Sequence, residues 1–176
     1  EGRVDDVSLV FNTAPGSPTC HLMLDTNLIL DKDCEAGHNP EMTWRFDAGE
    51  WNCNSRPPRM VFDGGDNSYS FAYQHFNISA YHRTLINSGK LAVIFSFVGT
   101  THTDSDWARM ALRFYDVSGA EILNSREYVD LKHNTVWETF LDGACAPTNT
   151  DSFKFVVECT RNTGTECSAY FDDFNV

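Results

Sequence analysis

Basic residues are scarce in this chain of 176 residues: 13 Lys and Arg stand against 25 Asp and Glu, a formal net charge of −12. A protein that tracks nucleic-acid phosphates carries a basic face, so no nucleic-acid partner is expected. Long apolar runs are missing as well. The longest, residues 91–98, is far short of a bilayer span and contains Ser96, so this chain is not expected to insert into a membrane. Signatures of catalysis and of zinc are thin. His21, His38, His75, His82, His102 and His133 show no H-E-x-x-H spacing, and there is no G-x-S-x-G elbow, no phosphate-binding Gly-rich loop and no C-x-x-C pair. Helical periodicity is confined to residues 78–86 and to a possible turn around 105–107. The chain opens on Glu1, with no basic segment leading into an apolar one, and reads as a mature or excised fragment.

What is present is core-forming material. The chain is 41% hydrophobic and 13% aromatic, long enough to bury a core and free of linkers, low-complexity runs and repeats. A single domain over residues 1–176 is expected. Strand-like segments recur between turn clusters at 7–11, 22–30, 42–46, 60–62, 69–76, 91–98, 108–116, 120–123, 153–159 and 167–176, while 51–58 reads as a loop. Tyr69, Phe71 and Tyr73 share one face of their segment. Met110, Leu112 and Phe114 oppose Arg109, Arg113 and Tyr115 across theirs, and Phe153, Phe155, Val157 and Cys159 form another apolar face. About ten short strands, rich in aromatic and β-branched residues, describe an all-β, two-sheet sandwich of jelly-roll topology.

Six cysteines, widely scattered, indicate a disulfide-stapled protein of an oxidising, extracellular compartment. Strand-like segments on either side of a turn at residues 162–164 predict a hairpin that sets Cys159 opposite Cys167 within bonding reach. Cys20 with Cys34 is the next expected pair, leaving Cys53 with Cys145. The sequon Asn77-Ile78-Ser79 makes Asn77 a candidate glycosylation site and agrees with a secretory route.

The order of motifs in the second half resembles a known family. Ala108 to Gly119, Ala146-Pro-Thr-Asn-Thr150 and Tyr170-Phe-Asp-Asp-Phe-Asn-Val176 are similar to the "A-x-V-x-L-x-F-x-D-x-x-G", "A-P-x-x-T" and "D-x-x-F-D-D-V" elements of galactose-binding-domain-like jelly rolls, which include many carbohydrate-binding modules. Ser88-Gly89-Lys90 before the buried strand fits the same pattern, and the likeness covers roughly residues 60–176. Phe155-Val-Val-Glu-Cys159 and Phe171-Asp-Asp173 also resemble MAM-type adhesion domains, whose opening cysteine and "D-D-W" segments are not clear here. The resemblance implies a jelly roll whose N-terminal strand, near 7–11, lies beside the C-terminal strand, near 171–176.

Calcium is the expected cofactor. Hard cations take several oxygen ligands from turning backbone, and Asp63, Asp66 and Asn67 lie in a Gly-rich turn, with Asp104 and Asp106 in a second acidic turn. The resemblance adds Asp172 and Asp173, at the closing Asp-Asp where jelly rolls often hold a structural ion. Set against this, Asp and Asn favour turns without any metal. For a glycan, aromatic faces and polar side chains are the relevant chemistry. Trp51, Trp107, Tyr69, Tyr73 and Tyr81 are the aromatic candidates, with His75 and Arg83 as polar contacts, while Trp44 and Trp137 read as core. The expected function is non-catalytic recognition of a glycan by an extracellular module. A receptor or adhesion ectodomain that binds a cell-surface protein is the alternative. A polysaccharide lyase built on Tyr73, Gln74 and His75, or a glycosidase with a carboxylate pair, is a weaker third. Nothing in the sequence sets the oligomeric state.

Overall fold

The computed structural model describes residues 28–30, 44–49, 51–56, 59–101, 106–129 and 136–176. In chain order these form β1 (Arg45–Ala48), β2 (Asn52–Arg56), β3 (Arg59–Asp63), β4 (Tyr69–Asn77), α1 (Ala80–Asn87), β5 (Ala92–Thr101), β6 (Trp107–Tyr115), β7 (Glu121–Val129), β8 (Glu138–Cys145), β9 (Ser152–Thr160) and β10 (Ala169–Asn175). Two five-stranded sheets result, ordered β1-β4-β9-β6-β7 and β2-β3-β10-β5-β8, with every pair antiparallel. This is the expected jelly-roll sandwich. Residues 51–58, expected as a loop, contain the edge strand β2. The strand expected at 7–11, and so its place beside β10, falls outside the described residues.

The alternations decide which faces meet. Met110, Leu112 and Phe114 of β6 and Phe153, Phe155 and Val157 of β9 turn inward onto Phe95 and Phe97 of β5 and Phe171 and Phe174 of β10. Aromatic rings fill the middle: Trp51 stacks on Phe62 at 4.8 Å, Trp44 lies 4.8 Å from Phe62, and Phe155 meets Phe174 edge-on at 6.0 Å. Such pairs add about 1 kcal/mol each beyond burial. The 116–119 turn behaves as read. Asp116 accepts from the backbone N–H groups of Ser118 and Ala120 and from the Ser118 hydroxyl, and β7 folds back on β6. Those bonds, the Ser118 hydroxyl first, hold the Asp116 carboxyl below the usual carboxylate range. The short helix expected within 78–86 is α1, opened by Ser79, whose hydroxyl accepts from the His82 backbone N–H. Among the described residues no helix is long and apolar enough to cross a membrane.

Cys159 and Cys167 are bonded, with Cα atoms 6.2 Å apart. The hairpin that led to the pair is absent. β9 belongs to one sheet and β10 to the other, so the bridge ties the two sheets at a corner. The turn after β3 packs onto this bridge: a Cβ on Gly64 would stand 3.3 Å from the Cβ of Cys159 and 3.4 Å from that of Cys167. The expected Cys53–Cys145 pair is overturned. Cys53 lies on β2 and Cys145 on β8, the opposite edges of one five-stranded sheet. Four strand spacings put them about 19 Å apart, whereas bridged Cα atoms lie within about 7 Å. Both are nevertheless disulfide-bonded. Their partners lie outside the described residues, as do Cys20 and Cys34, on which the other expected pair falls.

Candidate functional site

The outward face of the sheet β1-β4-β9-β6-β7 gathers most of the polar and aromatic side chains that the core does not take. Register arranges them in rows across β4, β9 and β6. Tyr69, Thr160 and Trp107 form the first row, followed by Phe71, Glu158 and Arg109. Tyr73, Val156 and Ala111 come next, then His75, Lys154 and Arg113, and finally Asn77, Ser152 and Tyr115. The reason is period-two geometry. In β4 the inward positions 70, 72 and 74 are buried, so 69, 71, 73, 75 and 77 must face away from the core.

Glu158 anchors this face. Although it points away from the sandwich core, it is 1% exposed. One carboxylate oxygen accepts from Arg109 Nε, and the other accepts from Arg113 Nη2 at 2.6 Å. Two guanidinium partners offset the cost of burying this carboxylate. The cations of the face also lie over its rings. The Arg109 guanidinium is 4.6 Å from the Trp107 ring centre, Arg113 is 5.5 Å from Phe71, and Lys154 is 4.0 Å from Tyr73 and 5.1 Å from Tyr115. Desolvation, reinforced by Lys154, lowers the His75 pKa. Burial raises the Tyr69 hydroxyl pKa, with Glu158 adding to it, and burial then Glu121 raises that of Tyr115.

Of the expected ligand residues, the structure thus brings Tyr69, Tyr73, His75 and Trp107 onto one face. It leaves the others elsewhere. Trp51 is a correction: it is 1% exposed, sandwiched against Phe62 and Phe171, and offers no platform. Its polar neighbours belong to an edge strand, whose composition says little about the inward ring beside it. Arg83 lies on α1, paired with Asp151, and Tyr81 is on the same helix. Gln74 and His75 point to opposite faces. The Gln74 amide both accepts from and donates to the Leu30 backbone, so the two do not form a joint lyase site. Arg109, Arg113, Lys154 and Glu158 were not among the expected ligand residues. The alternation in 108–116 already places both arginines outward, but their shared carboxylate lies 45 to 49 positions away.

The acidic turns do not converge. Asp63, Asp66 and Asn67 line a cavity of about 350 Å³ with Asn52, Asn54 and Glu166, an oxygen-rich donor set of the kind a hard cation takes. Asp63 already accepts from the Gly65 backbone N–H at 2.9 Å. Asp106 is occupied: its carboxylate accepts from the backbone N–H groups of Asn162, Thr163 and Ser168, which ties down the link between β9 and β10. Asp172 is buried and Asp173 exposed at a bulge in β10, and Asp104 lies outside the described residues. Among the described residues no three His, Cys, Asp or Glu side chains gather into a metal-holding group. Asn77 is exposed at the last position of β4, at the end of the aromatic face.

No family model matches the chain, and no curated protein matches it by sequence. Solved structures do match. The protein is similar in fold to a family 16 carbohydrate-binding module (TM-score 0.59, 13% identity, 85% of this chain and 98% of that one). It is also similar to a family 61 carbohydrate-binding module in complex with β-1,4-galactotriose (TM-score 0.51, 15% identity, 85% and 97%). A third likeness is to the enzymatically active domain of tailspike protein 4 of bacteriophage CBA120 (TM-score 0.57, 11% identity), where 85% of this chain spans 21% of the other. The likeness is one of fold, a two-sheet β-sandwich of jelly-roll topology.

Proposed function

We propose that the protein is a glycan-recognition module of an extracellular protein, and that it binds through the outward face of the β1-β4-β9-β6-β7 sheet. The observation that carries this is the assembly of that face. Tyr69, Tyr73 and His75 from β4, Trp107 from β6 and Lys154 from β9 come together on one outward sheet face, with Tyr69 and His75 exposed and the other three partly exposed, although β4 and β9 are far apart in the chain. Rings and hydrogen-bonding side chains alternating over such a surface suit a polyhydroxylated chain, since apolar sugar faces meet rings while hydroxyls meet polar groups. The fold supports the reading, because modules that recognise carbohydrate share it. Disulfides support the compartment.

The action is binding without chemistry. Glu158, the buried carboxylate of the face, has both oxygens engaged by guanidiniums, which suits a scaffold better than a general acid. A polysaccharide panel tested by affinity electrophoresis and calorimetry checks the reading. Trp107→Ala and Tyr69→Ala should each weaken binding about tenfold or more, the loss expected of a contact ring, with the circular dichroism spectrum unchanged. Variants that bind as tightly as the parent would overturn the site. A panel with no bound polysaccharide would overturn the function.

A further inference from the structure

The row His75–Lys154–Arg113 runs directly across β4, β9 and β6 and holds no acid; with the His75 pKa lowered, its charge lies on Lys154 and Arg113. Like charges directly opposite on one sheet face destabilise it. Arg113 leans toward Glu158, which it shares with Arg109. Among the described residues Lys154 has no carboxylate partner, and its ammonium rests between Tyr73 and Tyr115. Asp47 belongs to the outer strand β1, and Glu121 and Glu127, opposite Tyr115 and Ala111 by register, to the outer strand β7. The centre of this face is therefore basic in a chain of net charge −12.

The same cations change what the rings can offer. Trp107, Phe71, Tyr73 and Tyr115 each carry a cation over the ring, so on the covered side a ligand meets N–H groups before it meets carbon. Such groups favour an anion. Hydrogen bonds from a guanidinium or ammonium to a carboxylate are roughly twice as strong as those to a neutral hydroxyl. The overall negative charge does not forbid an anionic ligand. At physiological ionic strength charges separated by more than about 8 Å are screened, so a ligand lying on the sheet responds to the local row.

We propose that this face selects acidic glycans, and that Lys154 and Arg113 receive a carboxylate or sulfate group of the polymer. The proposal rests on the glycan reading above and narrows it. Its test compares polymers that differ only in charge: polygalacturonate against its methyl ester, and a sulfated galactan against the desulfated galactan, by calorimetry. The acidic member of at least one pair should bind about tenfold tighter or better, and the pair that does so identifies carboxylate or sulfate as the group read. Lys154→Gln should erase that preference while leaving the circular dichroism spectrum unchanged. Lys154→Glu should abolish binding of the acidic polymer. Equal affinity within both pairs would overturn the proposal while leaving glycan binding intact. Absence of binding to charged and neutral polymers alike would overturn both. A Lys154→Gln protein that keeps the preference would remove Lys154 from the proposed role.

Discussion

Glu158 shows how much one residue on a sheet face can carry. Its carboxylate is buried on an outward sheet face and bridges Arg109 and Arg113. Removing one partner of a buried charge cluster exposes the uncompensated remainder. Glu158→Gln should therefore cost about 2–3 kcal/mol, at the lower side of the buried-pair range because both arginines keep some contact with solvent. Urea denaturation measures the loss, and a variant of parental stability would show the cluster to be dispensable. Little of this was legible in advance. A lone Glu in a strand reads as solvent-facing, and its partners come from a strand far away in sequence. Trp51 and Trp107 make the same point. Both sit among polar neighbours in the chain, yet one is sealed in the core and the other stands on the open face, since only the partner sheet decides which side of a strand is inside.

At the scale of elements, strands with two-sided packing were the most legible, and of the four edge strands β1 and β7 were expected in part while β2 and β8 were not. β5, β6 and β9 carry strong apolar alternation or continuous apolar runs because neighbours flank them on both sides. β2, read as a loop, and β8, which had no strand assigned, are the two edges of the second sheet. Phe140 is the one buried residue of β8, so there was no pattern to find. The Cys159–Cys167 bridge was expected correctly for a reason the structure overturns, since turn residues bring two cysteines close whether the following strand returns to the same sheet or crosses to the other. Because it closes a short loop of separation 8 between the sheets, replacing both cysteines by serine should cost about 2.5 kcal/mol by loop entropy. Thermal unfolding under oxidising conditions measures this, and an unchanged midpoint would mean that the corner is held by Asp106 and Gly64 packing alone.

Across the whole molecule the excess of acid acts as a field. Net charge far from zero destabilises the compact state by self-repulsion, and salt screens it. Raising sodium chloride from about 10 mM to about 200 mM should lift the melting temperature by a few degrees. A fall would mean that ion pairs such as Arg109–Glu158–Arg113 and Arg83–Asp151 outweigh the repulsion. The sequence alone determined the class of fold, the inward faces of its central strands, the turn at Asp116 and the short helix within 78–86. Each of these depends on side-chain period or on bonds between near neighbours. Tertiary structure alone decided which sheet each strand joins, which cysteines can meet, and which rings, cations and carboxylate share the open face. Those depend on pairing between strands distant in sequence, and alternation along a single strand carries no record of its neighbour.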